Sequence, residues 1–238
     1  MRPYQRMIKK VLNQGKRKSN RTGVDTLSVT NHHYQVNLQA GYPLLTTKDM
    51  SGSIWNSITH EFVWYLSGDH HIRELREETS IWDNWANQHG ELETAYGRFW
   101  RRYPVPSKSS HLPGEAWADE DCPYTQEEDG ELVLDQIAYL RDTIHNNPNS
   151  RRMVLTAWHP GNACVSGLPP CHFTATFNVT PDGLLDCHLT QRSGDLGLGI
   201  PFNIAHYALL TYVLAEDAGL RPGSFSHTIN DLHIYIGD

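Results

Sequence analysis

The chain has 238 residues, of which 39% are hydrophobic and 20% are charged, an ordinary balance for a globular protein that buries a core. The formal net charge is −7, so nonspecific attraction to DNA or to an anionic membrane is not expected, and a bound anion needs a local group of Arg or Lys side chains. The start at Met1 lacks the apolar segment of a signal peptide, and no apolar run is long enough to cross a membrane, so we expect a cytoplasmic protein.

The first third of the chain predicts two helices and one strand. Residues 3–14 have the pattern of a short helix, and residues 33–38 alternate between polar and apolar side chains as a strand does. Residues 53–67 predict a second helix, because apolar residues recur there at helical spacing: Ile54, Ile58, Phe62 and Tyr65.

Glu61 lies on the apolar face of that second helix. A carboxylate on an apolar face is costly unless it is paired or needed. The pattern therefore leaves two interpretations of Glu61, a buried partner of an arginine or a general acid/base.

The middle of the chain contains a break in periodicity. Residues 104–131 begin with Pro, Ser and Gly and then become acidic, which favours a long surface loop or an insertion. Helical spacing returns at Ile137, Leu140 and Ile144, and Asn147-Pro148 is expected to end that helix.

A β-hairpin is predicted on either side of the turn sequence Thr180-Pro181-Asp182-Gly183, because apolar residues alternate on both flanks. With the turn centred between Pro181 and Asp182, simple pairing places Cys171 opposite Arg192 at the open end of the hairpin. A bulge would shift this pairing by a residue or two.

The last part of the sequence predicts a long apolar helix over residues 202–218 and a strand over residues 225–236. On that strand Asp231, His233 and Tyr235 share one face. Helices and strands do not alternate regularly along the chain. We therefore expect an α+β fold in a single domain, with a large mixed β-sheet flanked by helices.

Cys171 has the most suggestive chemical context among the four cysteines. None of them forms a CxxC pair, so neither a disulfide framework nor a metal site is expected. Two prolines precede Cys171 and hold it rigidly, and the charge of Arg192 across the hairpin would raise the thiolate fraction. The pattern favours either a nucleophile or a buried structural cysteine.

Arginines and tryptophans give two further hypotheses. Arg21, the adjacent pair Arg151-Arg152 and Arg192 either converge on a phosphate or are unrelated surface residues. Trp82 and Trp85 either belong to the core or stack on a flat heterocycle.

Several ordered segments are distinctive together although each is weak alone. They are Asn20-Arg21-Thr22-Gly23, Pro43-Leu44-Leu45-Thr46-Thr47-Lys48, His60-Glu61, Ile81-Trp82-Asp83, Tyr96-Gly97, Ser150-Arg151-Arg152, Pro169-Pro170-Cys171-His172, Gln191-Arg192-Ser193-Gly194-Asp195, Leu198-Gly199-Ile200-Pro201-Phe202-Asn203-Ile204-Ala205 and His233-Ile234-Tyr235. Over about residues 4–235 the chain resembles the thymidylate synthase family, which makes dTMP from dUMP with 5,10-methylenetetrahydrofolate.

The resemblance implies a folate-dependent methyltransferase whose nucleophile is Cys171, adding to C6 of the uracil ring. Glu61 would assist proton transfers through water, and Tyr96 would help to remove the C5 proton. It also implies catalytic positions at Arg192, Asp195 and Asn203 and an Asn203 amide that reads uracil rather than cytosine.

The resemblance also implies two groups of binding residues. The dUMP-binding positions are Arg21, Arg151, Arg152, His172, Gln191, Arg192, Ser193, Asp195, Asn203, His233 and Tyr235. The folate-facing positions are Ile81, Trp82, Trp85, Leu168, Asp195, Leu198, Gly199 and Phe202. The family is a homodimer with sheets packed back to back, in which Arg151 and Arg152 would reach the other subunit's site, and it needs no metal.

The sequence departs from the family pattern at His159, Thr190 and Gly197, in the length of residues 104–131, and at its end. The family continues past the His-x-Tyr strand, whereas this sequence stops at Gly237-Asp238. We expect the chain as given to retain nucleotide binding better than full turnover, because closure over the folate excludes water.

Three alternative functions remain. A deoxynucleotide hydroxymethylase shares every step until water replaces the hydride. A nucleotide-binding regulatory protein would bind dUMP without turnover. A Cys–His hydrolase built on Cys171 and His172 is disfavoured, since adjacent residues of a strand point to opposite faces.

Overall fold

The computed structural model describes residues 1–92, 95–107, 113–114 and 116–237. Within them the chain divides into two compact units. The first holds residues 1–58, 148–154 and 171 onward, and the second holds residues 59–147 and 155–170. That the whole chain acts as one catalytic domain stays a prediction.

Helices and strands are mixed along the described residues. The helices are α1 (Arg2–Gln14), α2 (Ser53–Ser67), α3 (Leu75–Glu78), α4 (Tyr96–Arg101), α5 (Gln136–Asn146), α6 (Pro160–Ala163) and α7 (Gly199–Asp217), with a 3-10 turn at Leu38–Ala40. The strands are β1 (Lys16–Lys18), β2 (Thr26–Asn37), β3 (Tyr103–Pro104), β4 (Thr125–Glu128), β5 (Glu131–Leu134), β6 (Val154–Thr156), β7 (His172–Val179), β8 (Leu184–Asp195) and β9 (Arg221–Tyr235).

A six-stranded sheet has the order β1-β2-β9-β8-β7-β6. The pair β8–β9 is parallel, whereas β1–β2, β2–β9 and β7–β8 are antiparallel. The predicted α+β class with a mixed sheet is therefore confirmed.

The predicted helices over residues 3–14, 53–67 and 137–144 are confirmed as α1, α2 and α5. Helix α7 begins at Gly199 rather than at the predicted Phe202. Pro201 lies in its first turn, where a missing backbone N–H costs nothing because that group has no partner inside the helix. The helix packs against β8 and β9 and buries most of its apolar side chains there.

The hairpin β7–β8 places Cys171 opposite Arg192, as predicted, through two offsets that cancel. Near the turn Val179 pairs with Leu185, one residue away from the symmetrical register. An irregularity between His172 and Thr174 then restores the register, so that His172 pairs with Gln191. The Arg192 backbone N–H donates to the Cys171 carbonyl oxygen at 2.9 Å.

The interpretation of residues 104–131 as a loop is wrong in part. Thr125–Glu128 is strand β4, which pairs antiparallel with β5 in a small sheet of order β3-β5-β4. Asp129 (φ 52°) and Gly130 (φ 81°) form the turn between them. Asp-Gly favours positive φ at both positions and therefore predicts a hairpin turn. The polar residues before it made this prediction easy to overlook. The predicted insertion also includes residues 108–112 and 115, which lie outside the described residues.

The second unit contains an aromatic core around α2 and α4. The ring of Tyr65 lies 5.4 Å from that of Tyr96 and 5.5 Å from that of Trp100. Gly97 lets the two helices approach, because a Cβ there would lie 2.4 Å from the Tyr65 carbonyl oxygen. This contact explains why a glycine follows Tyr96.

Within the described ranges no helix combines the length and the apolar character that a membrane crossing needs.

Candidate active site

Cys171 lies at the open end of the hairpin in the first unit, directly after a buried Pro170. The prolines restrict the backbone before it, and the bond from Arg192 N to its carbonyl oxygen fixes the backbone across the hairpin. The side chain is only partly exposed. The sequence therefore folds into a rigid support for one thiol.

The thiol of Cys171 is subject to opposing influences. Burial raises its pKa above the ordinary thiol value, and the positive charges of Arg192 and Arg21 lower it by less. The structure thus brings both arginines into electrostatic contact with the cysteine. Burial therefore favours the protonated thiol, and the two cations supply attraction that favours a thiolate.

Asn203 and Gln191 form a buried amide pair beside this hairpin end. Asn203 Nδ2 donates to Gln191 Oε1 at 3.0 Å, and Gln191 Nε2 donates to the Ser193 carbonyl oxygen at 2.7 Å. Asn203 comes from the first half of α7, and Gln191 comes from β8. A ligand at this point would thus meet the Asn203 amide, whose orientation is set by the Gln191 amide.

His172 is buried and bonds to α7 rather than to Cys171 in the described contacts. Its Nδ1 lies 3.0 Å from the Tyr207 hydroxyl oxygen. Burial holds the pKa of His172 well below its usual range, so the ring is neutral. This placement supports the argument against a Cys–His hydrolase.

The parallel pair β8–β9 brings three predicted site residues, Ser193, Asp195 and His233, to neighbouring positions beside Asp231. Ser193 pairs with Asp231, and Asp195 pairs with His233. His233 is buried, and its Nδ1 lies 3.3 Å from Asp231 Oδ1, whereas Tyr235 is 41% exposed. Asp231 also accepts from Lys18 Nζ at 2.5 Å and from Ser28 Oγ at 2.7 Å.

The paired arginines are placed differently from Arg192. Arg151 and Arg152 are exposed in the turn before β6, where the Arg152 backbone N–H donates to Ser150 Oγ at 3.2 Å. None of the contacts found among the described residues joins either side chain to Cys171 or Asn203. The predicted convergence of all four arginines is therefore not seen within this one chain.

Glu61 lies in the second unit and is 4% exposed, as its helical position predicts. Its Oε1 accepts from the Tyr65 hydroxyl at 2.8 Å and from Trp82 Nε1 at 2.6 Å. Two aromatic donors thus hold the same carboxyl oxygen. The carboxyl is thereby fixed in one orientation.

Tyr96 lies beside the same cluster. It begins α4 and is buried, and its ring lies 6.2 Å from that of Trp82. The structure therefore brings Glu61, Trp82 and Tyr96 together within the second unit.

The predicted folate-facing positions include several exposed apolar side chains. Leu198 (70% exposed) and Phe202 lie at the start of α7 in the first unit. Ile81 (39%) and Trp85 (45%) lie in the second unit, where Leu168 is half-buried. In the first unit Gly199 begins α7, and Asp195 Oδ1 accepts from the Gly197 backbone N–H at 2.8 Å. In the second unit, the exposed side chains of Ile81 and Trp85 are apolar and aromatic surface that suits a flat heterocycle.

Sequence reasoning missed two buried residues beside the amide pair, His227, which contacts Gln191, and Tyr34, which contacts His227. His227 Nε2 lies 3.0 Å from Gln191 Oε1, and the Tyr34 hydroxyl lies 2.9 Å from His227 Nδ1. Alternation along β9 gives the signal for His227, because it places that residue on the buried face with Phe225 and Ile229.

His159, a departure from the family pattern, caps α6 in the second unit. Its Nδ1 accepts from the Asn162 backbone N–H at 3.2 Å, and its ring stacks on Phe99. The histidine is therefore the N-cap residue of α6.

No cluster of three or more His, Cys, Asp or Glu side chains suited to a metal ion occurs in the described part of the chain.

Comparison with known proteins gives a consistent result. The family model described as thymidylate synthase matches residues 2–237. Thymidylate synthase of Haloferax volcanii is 58% identical over 231 residues, which are 97% of this chain. The same match covers 66% of the relative, so the chain spans just under two thirds of that protein's length.

Proposed function

Because the chain belongs to the thymidylate synthase family, we propose that it methylates dUMP reductively to dTMP, with 5,10-methylenetetrahydrofolate as the second substrate and dihydrofolate as the second product. The observation that carries the proposal is the hairpin end. There a rigid cysteine faces an arginine, and a buried amide pair lies on the neighbouring strand and helix.

The proposed chemistry starts at Cys171. Its thiol loses a proton, and the sulfur forms a bond to C6 of the uracil ring. The electrons of the C5–C6 double bond move toward O4, which makes C5 an enolate carbon. C5 is then a nucleophile, which it is not in free uracil. Arg192 and Arg21 favour the thiolate that this step requires.

Asn203 is the proposed base reader. Its amide oxygen accepts from N3–H of uracil, and its remaining N–H donates to O4. Cytosine presents the opposite pattern at both positions. A buried amide without its partner costs more than an exposed one, so this site discriminates against cytosine nucleotides.

Glu61 and Tyr96 are the proposed proton-transfer residues. Glu61 would act through water at O4 and at the folate nitrogen, and Tyr96 would help to remove the C5 proton. The two aromatic donors on Glu61 Oε1 support this role, because they fix the orientation of the whole carboxyl group and therefore of its second oxygen as well.

The nucleotide phosphate is the proposed ligand of Arg21, Arg192 and Ser193, and His233 and Tyr235 would bind the deoxyribose hydroxyl. We propose that a second copy of the chain supplies Arg151 and Arg152 in a homodimer. Their exposure supports this role, because an exposed arginine pair is available to another molecule.

The reduced folate supplies the one-carbon unit and the hydride when it is bound. The exposed side chains of Ile81, Trp85 and Leu198 fit such a flat, largely apolar group. Trp82 has a second use, because its indole N–H orients Glu61.

The experiment is a turnover assay with dUMP and methylenetetrahydrofolate, in which wild type and Cys171→Ala are compared and the product mass is measured. We expect dTMP from the wild type and none from the variant. A hydroxymethyl product would replace the proposal by the hydroxymethylase, and dUMP binding without any product would favour a regulatory protein.

A further inference from the structure

The amide of Gln191 has one orientation, and a backbone carbonyl sets it. Gln191 Nε2 lies 2.7 Å from the Ser193 carbonyl oxygen, which can only accept. The NH₂ side of the amide therefore points to Ser193, and Oε1 points to the opposite side.

Gln191 Oε1 lies 3.0 Å from two nitrogens, Asn203 Nδ2 and His227 Nε2. An amide oxygen only accepts, so both nitrogens must carry a hydrogen. This requirement places the ring proton of His227 on Nε2.

The other ring nitrogen of His227 must then accept. Burial lowers the pKa of His227 to about 3, so the ring is neutral and Nδ1 has a lone pair. The Tyr34 hydroxyl lies 2.9 Å from Nδ1, and burial keeps this hydroxyl protonated because it raises the pKa of Tyr34 well above its usual value. Tyr34 is thus the donor that matches the lone pair of Nδ1.

We infer that Tyr34 and His227 are positioning residues for base selection: the Tyr34 hydroxyl holds the His227 proton on Nε2, and His227 with Gln191 fixes the orientation of the Asn203 amide. The inference rests on the proposed role of Asn203 as the uracil reader. With Nδ2 bonded to Gln191, Asn203 turns its oxygen toward N3–H of uracil. The flipped amide would present the pattern that cytosine prefers.

The inference is tested with Tyr34→Phe, which removes one hydroxyl and keeps the buried ring. We expect the ratio of dCMP to dUMP dissociation constants to fall about tenfold, the effect of losing one oriented hydrogen bond. Tyr212→Phe is the matched control, since the Tyr212 hydroxyl donates to the Leu38 carbonyl oxygen at 2.6 Å and is not bonded to His227. The control is expected to keep the wild-type ratio.

A double variant separates an effect of Tyr34 on the His227 ring proton from an effect of Tyr34 on packing. In His227→Gln the side-chain amide nitrogen stands about where Nε2 was, and a glutamine has no tautomers. Adding Tyr34→Phe to His227→Gln is therefore expected to leave the dCMP/dUMP ratio of that variant unchanged. A further fall in the double variant equal to that in Tyr34→Phe alone would overturn the inference.

Nitrogen NMR of the ring gives a readout that needs no nucleotide. With ¹⁵N-histidine labelling, and His227 assigned by its loss in His227→Gln, the wild-type ring is expected to carry its proton on Nε2, and Tyr34→Phe is expected to populate the Nδ1–H tautomer. A wild-type Nδ1–H tautomer, or a Tyr34→Phe variant with unchanged tautomer and unchanged ratio, would overturn the inference. Wild-type protein that does not prefer dUMP to dCMP would instead overturn the proposed base reading, with the ring tautomer still measured independently.

Discussion

At the scale of single residues, the surroundings of Cys171, the proposed nucleophile, have opposing effects on its thiol. Its burial disfavours the thiolate, and two arginine charges partly offset that cost. Both arginines are also the proposed phosphate ligands. The proposal therefore links binding of the nucleotide to activation of the cysteine through the same side chains.

Removal of Arg192 should make Cys171 less reactive. Because the Arg192 charge lowers the pKa of the Cys171 thiol, Arg192→Gln is expected to raise that pKa further and to shift the pH profile of Cys171 alkylation to higher pH. The rate is followed by mass spectrometry of the Cys171 peptide, since Cys164 is exposed and also reacts. Arg221→Gln makes the same charge change at an exposed residue, which bonds to the Asp182 carbonyl oxygen at the turn of the hairpin, and should leave the profile in place. An unshifted profile in Arg192→Gln would contradict the electrostatic argument.

The sequence predicted some of these residues and missed others for a physical reason. Arg192 was found opposite Cys171 because hairpin pairing is local. Tyr34 was not found, because its contact with His227 joins residues separated by 193 positions, through pairing of β2 with β9. Periodicity shows that such residues are buried but not which ones meet.

At the scale of elements, the contact between α2 and α4 depends on the absence of a side chain at Gly97. A Cβ would lie 2.4 Å from the Tyr65 carbonyl oxygen and 2.7 Å from its Cα, and both are backbone atoms that do not move alone. The contact holds Tyr96 at the start of α4, beside Trp82 and near the helix that carries Glu61.

Gly97→Ala should therefore separate the two helices. We expect the free energy of unfolding to fall by about 3 kcal/mol, the upper end of the usual cost of overpacking, as measured by urea denaturation. Gly167→Ala is the control in the same unit, because a Cβ there meets nothing within 4 Å. Equal stability of the two variants would show that the helices do not depend on this approach.

The elements themselves were largely predictable, and the exceptions have local causes. The helical spacing of apolar residues gave α2 with its observed bounds. The hairpin register was right because an irregularity near His172 cancels an offset at the turn, which no local pattern reveals. Strand β4 was missed because all four of its residues are polar, as in a loop, and only Asp129-Gly130 signals the turn that follows it.

At the scale of the whole molecule, the exposed pair Arg151-Arg152 is the part of the proposed site that one chain does not complete. A local sequence pattern contains no information on which residues meet across a subunit boundary.

Mixing two inactive variants tests whether these arginines act across the dimer. In a dimer of Cys171→Ala with the double variant Arg151→Glu/Arg152→Glu, one site keeps both its cysteine and its partner's arginines. Random exchange of subunits should then restore about a quarter of the wild-type rate, because half of the dimers are mixed and each has one intact site. No recovery after proven subunit exchange would place the arginines in the site of their own chain.

The most direct measurement of the role of Cys171 is the release of tritium from dUMP labelled at C5, in the presence of methylenetetrahydrofolate. Release requires addition at C6 and bond formation at C5, and it precedes the reduction that completes dTMP. Wild-type protein should release tritium to water, and Cys171→Ala should do so about 10³-fold more slowly or not at all. Release by Cys171→Ala at the wild-type rate would contradict the assignment of Cys171 as the nucleophile.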